Sequence, residues 1–398
     1  MSCRHGALPA LLLAACALPA AAGDVVQPQW NLRLRHEHVA DDAFARNAGA
    51  TTLRLRAGLR FAWADHWQAL AEAEGVAADG RYNSGANGRV GHPGVADPAG
   101  AELNQLWLGW HGERAKATAG RQRVQLDNQR WLGNSGWRQN EQTFDAVALE
   151  WTPVAALTAR YVWLDRVHRV NGDDARDPLA RERDLDSHAL DLAFAHNDQQ
   201  WGGYALAHED RDVPAASTLT AGVRWSGQYA HDGGGNRWGW RVEAARQRDH
   251  AGNPHDFAHA YWLFEPSLVR RGVTWRAGWE HLGGDGRHAL QTPLASLHPF
   301  NGWADKFGVT PAGGLDDRYL AVAGKLGRGA HAGKLSWTAA WHDYRADSGG
   351  RYGREWNASL GFPVRGPVTG LVKLADYRSD GFARDTTKLW LQLEWTRP

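Results

Sequence analysis

Basic residues recur at every second position in one short stretch of this 398-residue chain. Arg54, Arg56 and Arg60 share one parity of the segment 51–64. A guanidinium group is permanently charged and hydrogen-bonds a carboxylate in a planar fork, so a row of such groups is suited to recognise and pass anions. The other parity of the segment is apolar and consists of Leu53, Leu55, Ala57, Leu59, Phe61 and Trp63.

The element that separates these two parities is a β-strand, because successive side chains of a strand point to opposite faces. Half-buried strands of soluble proteins rarely carry three arginines on one solvent face. A strand of about 9–11 residues between lipid and an aqueous lumen explains the pattern. Segment 30–39 repeats it with Arg33 and Arg35. Both segments therefore predict membrane-spanning strands.

The same parity rule predicts further inward-facing charges on other strands. The basic candidates are Arg33, Arg35, Arg54, Arg56, Arg60, Arg160, Arg224, Arg241, Arg276 and Lys373, with Glu150, Asp191, Glu243 and Glu280 as counter-charges. Two roles stay open for them: several moderate sites that let an anion enter and leave, or ion pairs that hold a hydrated lumen together. In the first case Arg56→Glu with Arg60→Glu should cancel or reverse an anion preference.

Two-faced strands follow one another along the whole chain, and short and long connections alternate between them. Examples are segments 218–229, 273–282, 334–344 and 388–396. Outer-membrane barrels have short periplasmic turns and long extracellular loops. The sequence therefore predicts an all-β fold, a transmembrane antiparallel β-barrel of about 18 strands with both termini in the periplasm. A soluble propeller or sugar-binding solenoid would require shorter strands and a fixed repeat, which the chain lacks.

Residues 1–23 predict a secretory signal peptide, with Arg4 ahead of an apolar run over residues 7–18. Residues 24–398 are predicted to form a single barrel domain in the outer membrane of a Gram-negative bacterium. Its surroundings would be membrane lipid and lipopolysaccharide. The stretch that ends at Cys16 also resembles a lipoprotein cleavage box, so lipidation of Cys16 stays open as an alternative.

Two long loops carry a more specific signal. The blocks are Gly120-Arg121-Gln122, Trp137-Arg138-Gln139, residues 143–146, residues 292–295, residues 298–307 and residues 314–317. Together they resemble signature stretches of the alginate-export family of outer-membrane porins. The resemblance implies an 18-stranded barrel with an arginine-lined pore for an anionic polymer, and the strand pattern extends it over the mature chain. Arg121, Arg138 and Asp145 lie within these blocks and join the candidate pore residues.

The parity of Arg121 conflicts with a pore position. Arg121 and Arg123 share the outward parity of Ala117 and Ala119. Either Gly120 marks a bulge that reverses the register, or these arginines already stand above the membrane.

Residues 283–316 form the longest connection, and it is longer than a loop that only joins two strands requires. This segment contains Phe300, Trp303 and Phe307 for packing. We expect it to fold over or into the mouth of the pore.

Enzymatic alternatives find little support in the sequence. His36 and His38 share a strand face but lack a third metal ligand. Ser135 faintly resembles the nucleophile region of outer-membrane phospholipases, yet no histidine lies close upstream. No nucleotide loop or nucleophile elbow is present. The sequence predicts no catalytic residue, cofactor, bound metal or nucleic-acid partner.

The predicted function is therefore an outer-membrane channel for passive passage of anionic saccharide, either an alginate-like polyuronate or sugar acids. Two alternatives stay open: a general or substrate-specific uptake porin for small anions, and a sealed barrel that binds ligands at the cell surface. Anionic polysaccharide or sugar acid is the predicted partner, with periplasmic export components as a further candidate.

Overall fold

The structure is a computed structural model that describes residues 25–230, 235–326 and 334–397. Within these ranges it contains eighteen β-strands and two short 3-10 helices, Pro178–Ala180 and Pro214–Ala216. The strands are β1 (Val25–Asp41), β2 (Ala48–Trp63), β3 (Trp67–Arg81), β4 (Gly100–His111), β5 (Ala115–Gln122), β6 (Thr143–Val154), β7 (Leu157–His168), β8 (Glu182–His196), β9 (Gln199–His208), β10 (Thr218–Ala230), β11 (Arg237–Asp249), β12 (Ala258–Arg270), β13 (Val273–Leu282), β14 (Leu315–Leu326), β15 (Leu335–Arg345), β16 (Arg351–Arg365), β17 (Val368–Ser379) and β18 (Thr386–Arg397). The predicted signal peptide and Cys16 lie outside the described residues.

Every strand pairs antiparallel with its sequence neighbours, and β1 also pairs with β18, so the sheet closes on itself. At the closing seam Asn31 lies opposite Thr396 and Asp41 lies opposite Thr386. Closure leaves no unpaired strand edge, which a sheet requires where no water reaches its backbone groups. The predicted fold class, an antiparallel all-β barrel of about 18 strands, is confirmed.

The connections between strands alternate in length as predicted. Short ones, such as residues 64–66, 155–156 and 366–367, lie at one end of the barrel, which we call the short-turn end. Long ones, such as residues 123–142 and 283–314, lie at the opposite end, the long-loop end. No helix in the described part of the chain is long and apolar enough to cross a membrane.

The two faces of the barrel have the polarity expected from the strand pattern. On β2, Leu53 and Leu55 are 42% and 44% exposed, whereas Arg54 between them is 1% exposed. An exposed apolar surface of this extent marks contact with lipid. Trp63 and Trp67 flank the β2–β3 turn with ring centroids 6.5 Å apart, and fit the aromatic girdle at a membrane interface.

Candidate functional site

Four inward arginines of β1 and β2 lie side by side, and we call Arg33, Arg35, Arg54 and Arg56 the arginine ladder. Their exposed fractions range from 1% to 9%. The strand register places Arg33 opposite Arg54, so two like charges meet unless a carboxylate separates them. Glu394 of β18 lies 3.0 Å from Arg33 and 3.4 Å from Arg54. This carboxylate neutralises the meeting point of β1 and β2.

Residues 123–142, which we call loop A, provide other partners of the ladder. The backbone carbonyl of Trp137 accepts a hydrogen bond from Arg35 at 2.7 Å, and that of Gln139 accepts one from Arg56 at 3.3 Å. The other two ladder residues donate to the same segment at 3.2–3.5 Å. A buried loop has carbonyls without a strand partner, and the guanidinium groups satisfy them. The ladder therefore holds loop A against β1 and β2.

Two carboxylates complete the contacts of Arg56. Glu74 of β3 binds its Nε, and Glu141 of loop A lies 3.2 Å from its Nη1. Arg123, at the start of loop A, also binds Glu141 and lies 2.9 Å from Glu72 of β3. Burial alone would raise the pKa of Glu141, but Arg56 and Arg123 outweigh burial and hold that pKa below its ordinary value. The buried charges of loop A are thus compensated.

Loop A also reaches the opposite wall of the barrel. Asp127 binds Arg241 of β11 and lies 3.6 Å from Arg224 of β10. The indole N–H of Trp131 donates to Glu243 of β11 at 2.9 Å. Because loop A contacts β1 and β2 on one side and β10 and β11 on the other, it forms a partition across the lumen.

Residues 283–314, which we call loop B, pack against loop A and the barrel wall. The N–H of Gly133 in loop A donates to the carbonyl of Leu294 at 2.9 Å. The N–H of Ala304 donates to the buried Glu355 of β16 at 2.9 Å. The expectation that segment 283–316 folds over or into the pore mouth is confirmed by these contacts.

A chain of polar contacts centred on His298 attaches loop B to β17 and β18. The His298 Nδ1 lies 2.7 Å from Asp305, and its Nε2 lies 2.6 Å from Lys373 Nζ. Asp305 is bound by Lys388 at 2.8 Å and by Arg138 of loop A at 3.2 Å. Burial, with Lys373 and Arg138 nearby, lowers the pKa of His298 to about 3 despite the opposing effect of Asp305. His298 is therefore neutral near pH 7.

We expect the attachment of loop B to weaken in acid. The pKa of His298 is about 3 when docked against an ordinary value of 6.5, so below pH 6.5 the released loop binds a proton that the docked loop excludes. Docking is at full strength above pH 6.5 and weakens as the pH falls toward 3. The loss between pH 7 and pH 5 is about 2 kcal/mol. Asp305 adds nothing between pH 7 and pH 5, because it is ionised at both values: its ordinary pKa is 3.8, and in the docked loop its cationic neighbours Lys388 and Arg138 hold the pKa well below that despite burial.

The measurement is the frequency of high-conductance events in planar bilayers at pH 7 and pH 5, which should rise in acid. His298→Gln removes the titrating ring and should abolish the difference between these two pH values. An equal response in the wild type and in this variant would assign the effect to another group.

The remaining inward-facing arginine candidates fall into two groups, those with and those without an ion-pair partner. Arg160, Arg224 and Arg241 lie 2.8, 2.6 and 2.9 Å from Glu150, Asp191 and Glu243, respectively, which are the counter-charges that the strand parity predicted. In contrast, Arg60 and Arg276 form no ion pair with any residue in the described ranges. Arg60 donates only a long hydrogen bond, 3.4 Å, to Gln68. A role in the pore stays a prediction for each of these arginines.

Arg121 and Asp145 lie on the outer face of the barrel, which corrects their place among the pore residues. Arg121 lies opposite Leu106 of β4, which is 53% exposed on the apolar face. The β4–β5 pairing has no register shift, so Gly120 does not reverse the parity. Gly120 has φ +118°, and a Cβ there would lie 2.3 Å from the Leu106 carbonyl oxygen, so glycine permits this close strand approach. Arg121 instead pairs with Asp145 at 2.9 Å, near the long-loop end.

Sequence reasoning missed the acidic partners of the ladder and of loop B. On β3 the alternation of residues does indicate that Glu72 and Glu74 face inward, because the alanines that alternate with them take the outward parity. Asp97, Glu141 and Asp305 lie in connections, where no period of two exists to indicate the direction of a side chain. Their positions follow only from the folded loops.

Arg35→Ala is expected to release loop A. Arg35 is 1% exposed, donates to Gln392 and to the Trp137 carbonyl at 2.7 Å, and lies 4.1 Å above the Trp137 ring. Removing one partner from a buried charged network costs about 3 kcal/mol. We expect trypsin to cleave loop A at least roughly tenfold faster, measured by mass spectrometry of the fragments. Arg60→Ala, which removes an arginine remote from loop A, should leave cleavage unchanged. Equal protection in both variants would show that the ladder does not hold the loop.

Comparison with known proteins places this barrel among porins. The family model described as alginate export matches residues 26–296. No curated protein matches the chain. The crystal structure of Pseudomonas aeruginosa OpdO aligns with a TM-score of 0.73 and 15% identity, covering 94% of this chain and 97% of that chain. The outer membrane protein OpdK from P. aeruginosa aligns with a TM-score of 0.70 and 15% identity over 93% and 99% of the two chains. A further OpdK structure, determined with vanillate, aligns with a TM-score of 0.70 and 14% identity, covering 93% of this chain and 98% of that chain.

The solved structures share the fold of this chain at low identity, and the family model covers more than half of its length. The resemblance first indicated by the blocks in the two long loops is therefore confirmed. The closed barrel β1–β18 agrees with both comparisons. The chain belongs to the alginate export family and is an outer-membrane β-barrel porin.

Proposed function

We propose that this porin passes anionic saccharides, from sugar acids to short alginate-like polyuronates, without a chemical step. One observation carries the proposal: Arg60 and Arg276 share the inward parity of their strands but lack an ion-pair partner within the part of the chain that the structure describes. Each lies three residues from the short-turn end, since β2 ends at Trp63 and β13 begins at Val273. Both charges therefore lie near the short-turn end of the barrel.

An unpaired guanidinium acts on mobile ions, whereas a guanidinium beside a carboxylate is largely cancelled at a distance. The ladder and its carboxylates are compensated in this way, whereas Arg60 and Arg276 keep a charge that acts on mobile ions near the short-turn end. Fixed positive charge on an aqueous passage concentrates anions and speeds their entry. A polyuronate carries one carboxylate per sugar, which matches this field and agrees with the name of the family.

A second candidate is the uptake of small carboxylates, including aromatic ones. Loops A and B divide the lumen, and cavities of 580 Å³ at the short-turn end and 1040 Å³ at the long-loop end remain. Volumes of about 300–1,000 Å³ are typical of sites for small molecules. The similar barrel OpdK was crystallised with vanillate, which is an aromatic carboxylate.

The proposal also states what contacts the outer surface and each end of the barrel. The apolar outward face contacts membrane lipid, and lipopolysaccharide lies around the long-loop end, where Arg121 and Asp145 are paired. Periplasmic export components are the candidate partners of the short-turn end.

Proteoliposome uptake tests the proposed solute class. Labelled glucuronate is expected to enter several times faster than glucose, because the two sugars have similar size and differ by the carboxylate that the unpaired arginines attract. Vanillate, measured in parallel, tests the second candidate. Boiled protein controls for leakage through the lipid. Equal rates for glucuronate and glucose would overturn the anionic-saccharide proposal.

A further inference from the structure

A large cavity opens among the loops at the long-loop end, and we call it the vestibule. Its volume is 1040 Å³. The β7–β8, β9–β10 and β11–β12 connections line one part of it, and residues 287–312 of loop B line another. It is remote along the barrel from Arg60 and Arg276, which lie near the short-turn end. The vestibule therefore has its own chemistry.

Two arginines in the lining of the vestibule form no ion pair with a described residue. Arg169 follows β7 directly, and Arg287 lies in loop B; neither side chain forms a hydrogen bond or an ion pair with another residue in ranges 25–230, 235–326 and 334–397. The other two cations in the lining are satisfied, Arg183 by Asp210 at 2.8 Å and Lys306 by an aspartate at 2.7 Å. The vestibule thus combines compensated cations with two that are available to a ligand.

Arg169 is the more constrained of the two available cations. Burial, and the charge of Arg183 nearby, lower its pKa to about 10, while the more distant Asp210 and Asp177 oppose this shift. A partly buried guanidinium that forms no hydrogen bond or ion pair has lost hydration that its protein neighbours replace only in part. An anionic ligand would restore that interaction, which gives the position a preference for carboxylate.

A cluster of flat rings lines the same vestibule and lies next to Arg287 in loop B. The ring centroids of His255 and His288 are 4.5 Å apart, and Phe257 stacks on His288 at 5.9 Å with an interplanar angle of 19°. Asp285 accepts backbone hydrogen bonds from Arg287 at 2.8 Å and from His288 at 2.7 Å, which fixes the turn that presents both residues. Ring surfaces of this kind pack against the apolar face of a six-membered ring.

We propose that the vestibule is a capture site for a six-membered ring that carries a carboxylate, with Arg169 and Arg287 binding the carboxylate and the Phe257–His288 surface supporting the ring. The inference rests on the proposed function and deepens it, because it assigns a uronate-binding site at the entrance from the long-loop side. The remaining acidic side chain in the lining, Asp305, is already bound by Lys388 and Arg138 and does not oppose an anion.

The test is block of single-channel current in planar bilayers by trigalacturonate, added first to one side and then to the other. In the wild type we expect block at lower concentration from the long-loop side. Arg169→Ala with Arg287→Ala should raise the half-blocking concentration from that side about tenfold, a change of about 1.4 kcal/mol. Arg169→Lys with Arg287→Lys should retain most of the block. Maltotriose, a neutral trisaccharide, should block weakly in all forms.

Arg378→Ala is the matched control, since Arg378 also lies at the long-loop end but pairs with Asp376 at 2.7 Å and does not line the vestibule. It should leave the half-blocking concentration unchanged. Insertion of each variant is checked by the heat-dependent shift on a detergent gel, and Arg169→Gln with Arg287→Gln replaces the alanine pair if that pair fails to insert. Three outcomes would overturn the capture site. They are an unchanged half-blocking concentration when Arg169 and Arg287 are replaced by alanine or glutamine, absence of block in the wild type, and block by maltotriose as strong as block by trigalacturonate. Only loss of the glucuronate preference in liposome uptake would overturn the proposed function itself.

Discussion

Deleting residues 293–311 from loop B and closing the gap with a short Gly-Ser linker is expected to raise single-channel conductance roughly threefold. The reason is the position of the loop inside the barrel. It packs on loop A through the contact of Leu294 with Gly133, and it meets the walls at Glu355, Lys373 and Lys388. Removing it takes away one wall of the vestibule and widens the passage from the vestibule into the lumen, so larger solutes should enter as well.

Removal of residues 251–254 provides the control for this deletion. These residues belong to the β11–β12 connection at the same end of the barrel and are mostly exposed. Their loss should leave the conductance unchanged. If the larger deletion also leaves it unchanged in planar bilayers, loop B does not limit the passage of ions.

Replacing Arg60 and Arg276 by glutamate is expected to reverse the ion preference of the channel from anions to cations. Each substitution changes the local charge by two units at a position where the arginine forms no ion pair with a described residue. The Debye length is about 8 Å in physiological salt, so the effect of both charges extends over the passage and should fade in high salt. The measurement is the reversal potential across a KCl gradient in planar bilayers.

Arg60→Lys with Arg276→Lys is the matched variant, because it retains both positive charges and changes only the cationic group from guanidinium to ammonium. It should keep the sign of the wild-type reversal potential. A cation-selective wild type, or identical potentials in the glutamate and lysine variants, would show that selectivity arises elsewhere.

The pairing of Arg56 alters the selectivity test suggested by the sequence. Arg56 lies between Glu74 and Glu141, and a glutamate in its place would bring three carboxylates together inside the barrel. The expected result of Arg56→Glu is therefore release of loop A rather than a clean change of selectivity. Of the two roles that the sequence left open, the compensated ladder favours support of the lumen, while Arg60 and Arg276 keep the charge that attraction of anions requires.

The sequence by itself determined the barrel. The alternation of arginine and leucine on β1 and β2 is a local property, because strand geometry assigns successive side chains to opposite faces wherever the strand lies. The alternation of short and long connections is also visible without any contact between distant residues. The strand number, the apolar outer face and the inward direction of most candidate arginines followed from these two patterns, and the loop blocks indicated the family.

Only the tertiary structure decided which charges are compensated. Arg35 meets Asp97, and Arg33 meets Glu394 across the closing seam, so each pair joins segments that no periodic pattern relates. Loops lack a fixed period, and their side chains take directions that depend on what the closed barrel places around them. For this reason the ladder proved to be a support for loop A, Arg121 stayed on the outer face, and Arg169 emerged as an available cation. Compensation is a property of distances between remote residues, and those distances exist only once the barrel has closed around its loops.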